Sequence, residues 1–100
     1  MTSNPKYNLE FDPRALKEWK KLGGTIQTQF KKKLAKILEN PHIEANRLSG
    51  FSDCYKIKLK ASGHRLVYQV QDDVVLVFVL AVGKRERSEA YELAHNRVDE

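Results

Sequence analysis

Between Cys54 and Lys60 the chain alternates with a period of two, placing Tyr55, Ile57 and Leu59 on one side and Lys56, Lys58 and Lys60 on the other. Successive strand side chains point to opposite faces, so this run predicts a half-buried strand with an apolar back and a cationic front. Lysines two apart on a strand stand roughly 6–7 Å from each other, close to the phosphate spacing of a nucleic-acid backbone. The rest of the chain reads as support for this element. Tyr7 to Phe11 alternates apolar and polar and suits a first strand, after a polar stretch, Met1 to Lys6, that carries Pro5 and reads as frayed. Asp12-Pro13 marks a helix start, Asp12 as cap and Pro13 at the first helical position. Ala15, Leu16, Trp19 and Leu22 recur at helical spacing until Gly23-Gly24 ends the helix.

A second helix is expected from a cap at Thr25 to a stop at Asn40-Pro41. Its stripe is Ile26, Phe30, Leu34, Ile37 and Leu38, and its other face carries Lys31, Lys32, Lys33 and Lys36. His42 to Ser52 is a connector anchored by Leu48. After the lysine strand, Ala61-Ser62-Gly63 turns into a strand from His64 to Val70, with Leu66, Tyr68 and Val70 on one face. Asp72-Asp73 turns the chain back into Val74 to Val82, which is apolar at every position and predicts a central strand covered on both faces, ended by Gly83. Ser88 to Arg97 suits a short terminal helix, with Leu93 and Val98 as docking residues. The order β-α-α-β-β-β-α predicts an α+β fold: a small, mostly antiparallel sheet with two N-terminal helices and a short C-terminal one.

One hundred residues with 41% hydrophobic content support one domain spanning 1–100. The net charge of +5 favours a polyanionic partner: nucleic acid, ribosome, acidic protein or anionic surface. A lone cysteine, Cys54, excludes an internal disulfide and a multi-cysteine metal site, and a small packing residue is the reading that fits it. The N-terminus lacks the apolar core of a signal peptide and no run is long enough to span a bilayer, so a soluble cytoplasmic protein with no membrane partner is expected.

Phosphate-binding glycine loops, HExxH and a Gly-x-Ser-x-Gly elbow are missing from the sequence, and no cofactor or metal is implied. His42, His64 and His95 lie far apart and read as ordinary polar or partly packed residues, His64 being the one that neighbours the cationic face. What remains is Lys56 and Lys58 with Arg65 on the next strand, Arg85 just past the central strand, and Tyr91 beyond it. Such a set suits metal-free RNA cleavage, in which a 2′-hydroxyl attacks the adjacent phosphate and the 5′-oxygen leaves. Cations stabilise the phosphoryl charge and lower the pKa of a neighbouring lysine or tyrosine from ~10 toward neutrality. A basic sheet that binds RNA without cutting it satisfies the same residues.

Five segments, Phe11–Leu22, Glu44–Gly50, Asp53–Leu59, Arg65–Val70 and Val82–Ser88, resemble in order and spacing the RelE toxin family of bacterial toxin–antitoxin systems. The resemblance runs from about Tyr7 to Tyr91. It implies a ribosome-dependent mRNA interferase with a fold related to small microbial ribonucleases, which enters the A site of the 70S ribosome and cuts the message there. Carried over by motif, the catalytic set is Lys56, Lys58, Arg65, Arg85 and Tyr91. RNA or ribosome contacts are expected at Lys31, Lys32, Lys33 and Lys36, and at Lys60, Lys84 and Arg87. The resemblance also implies a RelB-like antitoxin that displaces or covers the terminal helix, and contact with operator DNA only through that antitoxin. The tail from Glu92 to Glu100 and the residues before Tyr7 depart from the family pattern. A ParE-like toxin acting on gyrase and a non-toxic RNA-binding module are the competing readings. The first is disfavoured because such relatives lack the Lys, Arg and Tyr set.

Overall fold

In the computed structural model, which describes residues 6–49, 53–84, 94, 96 and 97, two helices pack on one face of a four-stranded sheet. Strand β1 (Asn8–Phe11) leads into helix α1 (Pro13–Lys20) and helix α2 (Gly24–Ile37). A single 3-10 turn at Glu44–Asn46 precedes β2 (Cys54–Leu59), β3 (His64–Gln71) and β4 (Leu76–Lys84). The sheet order is β1-β4-β3-β2. The β2–β3–β4 meander is antiparallel, and β1 joins β4 in parallel, so first and last strands are neighbours.

Asp12 caps α1 as expected: its carboxylate accepts from the Arg14 backbone N–H at 2.8 Å and pairs with the Arg14 guanidinium. These contacts, the side-chain bond from Arg14 first among them, hold the Asp12 carboxyl below its ordinary pKa. Helix α2 departs from expectation at both ends. It begins at Gly24 with Gly23 as cap residue, ahead of Thr25, and ends at Ile37, short of Asn40-Pro41.

The main core lies between the helices and the sheet. Ala15, Phe30, Leu34 and Ile37 meet Tyr55, Ile57, Leu66, Tyr68, Val77, Val79 and Val82, and Trp19 bridges Phe11 and Phe30 through tilted ring contacts. Tyr68 donates to the Pro41 carbonyl at 2.9 Å, which satisfies a phenol that burial pushes well above its usual pKa. A second cluster occupies the opposite face: Cys54, Val67, Leu80, Ala81 and Ala94, with Leu48 and Phe78 against it. Cys54 is buried, and desolvation pushes its thiol up to about 12, in keeping with a packing role.

Strand β4 is apolar on both faces because both are covered, but its bounds differ from expectation. Val74 belongs to a 3-10 turn, Asp72–Val74, and Val75 closes it in the left-handed region at φ 52°, so the strand starts at Leu76. It runs through Gly83 to Lys84. The β3 register shifts between Val67, opposite Ala81, and Tyr68, opposite Val79, which leaves Leu80 as an extra residue. That bulge turns Val82 into the main core, where strict alternation from Val79 would have turned it away.

Candidate active face and its surroundings

The cationic front of β2 lies on the sheet face opposite α1 and α2. Lys58 stands directly across from Arg65, and Lys56 from Val67. Facing residues of an antiparallel pair point the same way with Cα atoms roughly 4.5–5.5 Å apart, so Lys58 and Arg65 form one row and Lys56 sits one step along it. Lys58 is exposed, whereas Lys56 and Arg65 are half-buried. On β4 the residue across from Arg65 is Gly83. A residue that the sequence pattern marks as a strand end thus fills a position in the row where no side chain rises above the sheet.

Lys60 lies just past β2 and is exposed, as is Lys84, the last residue of β4, which pairs with His64. His64 is half-buried, and its Nδ1 is buried with no hydrogen-bond partner among the described residues. Burial, with Lys84 beside it, lowers the His64 pKa and favours the neutral ring. A recess of about 250 Å³ opens here, lined by Lys58, Lys60, Gly63, His64 and Arg65. Arg85, Arg87 and Tyr91 lie outside the described residues, as do Leu93 and Val98.

The lysines of α2 are exposed along the helix. Lys32 and Lys33 join Lys58 and Lys60 around a groove of about 440 Å³ beside the β2 edge. Farther along, Lys33 and Lys36 with Lys58 and Lys60 rim a second groove of about 390 Å³ floored by Ile37, Ile43 and Ile57. Lys31 lines neither. Lys32, Lys33 and Lys36 of the helix therefore share one cationic margin with Lys58 and Lys60, a juxtaposition that periodicity within each element does not show.

Two polar assemblies escaped the sequence pattern. His42 Nδ1 lies 2.9 Å from the Tyr55 hydroxyl and its Nε2 3.0 Å from Asp72, while the Tyr7 hydroxyl donates to Asp72 at 2.6 Å. Bonds from Tyr7 and His42 hold the Asp72 carboxyl below its ordinary pKa, and the same contact raises that of Tyr7. Elsewhere, Glu18 on α1 receives Arg97 through both carboxylate oxygens at 3.1 and 2.9 Å. Neither spans a motif; each joins residues more than sixty positions apart.

A small basic α+β domain with this charge margin matches a class of bacterial toxins. The family described as the ParE toxin of type II toxin–antitoxin systems, parDE, matches residues 9–89. The mRNA interferase toxin RelE of Escherichia coli (strain K12) is 64% identical over 92 residues, 92% of this chain and 97% of that protein. Among solved structures, a mutant of E. coli toxin RelE in the free state superposes with a TM-score of 0.87 at 61% identity, covering 93% of this chain and 98% of that one. The toxin in the intact E. coli RelBE toxin–antitoxin complex gives 0.79 at 65% identity, covering 81% and 99%. The chain belongs to the RelE family.

Proposed function

We propose that this chain cuts mRNA in the ribosomal A site by metal-independent attack of a 2′-hydroxyl on the adjacent phosphate. It is the toxin of a type II toxin–antitoxin system and an endoribonuclease, inhibiting translation and neutralised by a RelB-like antitoxin with which it co-represses its operon. The whole of 1–100 acts as one toxin domain. It works in the cytoplasm, where ribosomes are; among the described residues no helix is long and apolar enough to cross a membrane.

The observation that carries the mechanism is the row of Lys58 and Arg65 with Lys56 beside it and Gly83 leaving the row open. In this reading Arg65 clamps the scissile phosphate, and Lys56 and Lys58 hold developing charge and tune Tyr91. Tyr91 orients or deprotonates the 2′-hydroxyl, and Arg85 stabilises the phosphoryl oxygens. A guanidinium titrates too high to give up a proton readily, so Arg85 serves as a charge stabiliser first. Lys32, Lys33, Lys36 and Lys60, with Lys31, Lys84 and Arg87, hold RNA backbone outside the reacting centre.

The ParE description of the matching family keeps the ParE-like alternative, a toxin acting on gyrase, as the second reading, and one experiment separates the two. Message 5′ ends are mapped on ribosomes with the wild-type protein, Arg85→Ala and Tyr91→Phe. Cuts at A-site codons that fade in both variants are expected. An intact message alongside inhibited gyrase would move the target to the topoisomerase.

A further inference from the structure

Glu44–Gly50 is one of the segments that carry the family pattern, yet no residue of it stands in the charge row. Its 3-10 turn lies against the groove of about 390 Å³ between α2 and β2. Ile43, the residue before the turn, joins Ile37 of α2 and Ile57 of β2 in an apolar floor, and Asn46 of the turn lines the same space. Asn46 is half-buried, and among the described residues its side-chain amide has no hydrogen-bond partner. Lys33 and Lys36 stand on the helix side and Lys58 and Lys60 on the strand side, with no carboxylate among the described residues of the lining. A track for phosphates alone needs the rim but not the floor. Lys58 and Lys60 also line the recess beside Arg65 on the front of the sheet, so this end of β2 is a crest between the charge row and the groove. Among the described residues β2 is the outermost strand, and its free edge is bridged only at Tyr55, by Arg47. The crest from Ile57 to Lys60 is open to a crossing chain.

We infer that the α2–β2 groove is a nucleobase site, taking one unpaired base of the message beside the cut while the lysine rim holds that nucleotide's phosphate. The inference rests on the interferase reading above and adds where the strand goes beyond the charge row. Lysines two apart on β2 stand roughly 6–7 Å from each other, about one nucleotide step of an extended strand. A phosphate held at Lys58 and Arg65 therefore brings the next one to Lys60, with the base between them in reach of the groove. Proteins read single-stranded RNA mainly through bases splayed out of the stack and hydrogen-bonded along one edge. The three isoleucines supply the surface for such a base and Asn46 the edge contact, its carbonyl accepting and its NH₂ donating to adjacent groups. The volume suits the task, since small-ligand pockets begin at roughly 300 Å³. An acidic peptide would satisfy rim and floor alike; the crest shared with the Lys58–Arg65 row is what favours RNA.

The test is single-turnover cutting of message on programmed ribosomes, titrated in ribosome. The messages are either intact or lack one base beside the cut while keeping its ribose and phosphate. For the wild type, removing the base at one flanking position is expected to lower cutting about 2- to 10-fold, the worth of one edge hydrogen bond. Asn46→Ala should cut the intact and the abasic message at nearly the same rate, because the contact is already gone, and should flatten the preference among codons. Ile43→Ala should also shrink the penalty; if that variant fails to fold, Asn46→Ala decides alone. An abasic message cut at the intact rate at every flanking position, or an equal penalty in wild type and variants, overturns the base site. Variants that keep the wild-type penalty but bind the RelB-like antitoxin more weakly give the groove to that partner and overturn it as well. A wild-type protein that leaves the intact message uncut overturns the interferase reading, and this site with it.

Discussion

At the scale of single residues, the charge row makes the sharpest demands. Removing one preorganised charge that faces a developing oxyanion typically costs about 10²–10³ in rate, so Lys58→Ala and Arg65→Ala should each lower the single-turnover rate by roughly that factor. Lys32→Ala, on the helix side of the groove that Lys58 also lines, should weaken ribosome binding and leave the saturated rate alone; the same titration separates the two effects. The carboxylates make a different prediction. Asp12 and Asp72 both have folded pKa values below their ordinary ones. Such a group adds stability above its unfolded pKa, near 4 for aspartate, and loses it as pH falls through the depressed folded value. Asp12→Asn keeps a capping oxygen but loses the Arg14 ion pair, so urea unfolding should show it less stable than wild type at pH 7, with the gap narrowing as pH falls below about 4. Asp72→Asn should behave alike. These carboxylates differ in how far the sequence reveals them. Asp12 was legible because its cap lies next to Pro13 in the chain, whereas the tie from Asp72 to Tyr7 and His42 depends on three segments meeting.

At the scale of elements, the β3–β4 connection carries a strain that can be removed. Val75 is β-branched, 39% exposed, and held at φ 52°, a conformation that costs an L side chain roughly 1–2 kcal/mol. Val75→Gly should therefore raise stability by about 0.5–1 kcal/mol after glycine's added unfolded-state entropy is counted, seen as a higher denaturation midpoint at constant slope. The same element shows where sequence patterning stops. Period two in Tyr55, Ile57 and Leu59 placed β2 correctly, because one face is buried and the other charged. From Val74 to Val82 every position is apolar, so nothing in the pattern marks the turn at Val75, the bulge at Leu80 or the reversal that sends Val82 inward. Gly83 illustrates the opposite error: a residue read as a terminator sits within the strand, across from Arg65.

For the molecule as a whole, the useful quantity is the distribution of the +5 charge. Lys32, Lys33, Lys36, Lys58, Lys60 and Arg65 gather on one margin of the sheet, so ribosome association should weaken steeply as salt rises. The chemistry proposed for the row uses side-chain charge alone, and cutting should survive EDTA added below the level that strips magnesium from ribosomes; a strict requirement for an added transition metal would refute it. The parallel pairing of β1 with β4 has a consequence in time. Its partners, such as Asn8 and Leu76, lie 68 positions apart, and contacts of such separation form late because the loop between them must close first. Until β4 has left the exit of the ribosome that is making it, β1 has no neighbour, α1 has no sheet to cover, and Arg65 has no Gly83 across from it. A toxin whose last-made strand lies at the heart of its sheet stays unarmed through most of its own synthesis, which gives an antitoxin made nearby an interval in which to be waiting.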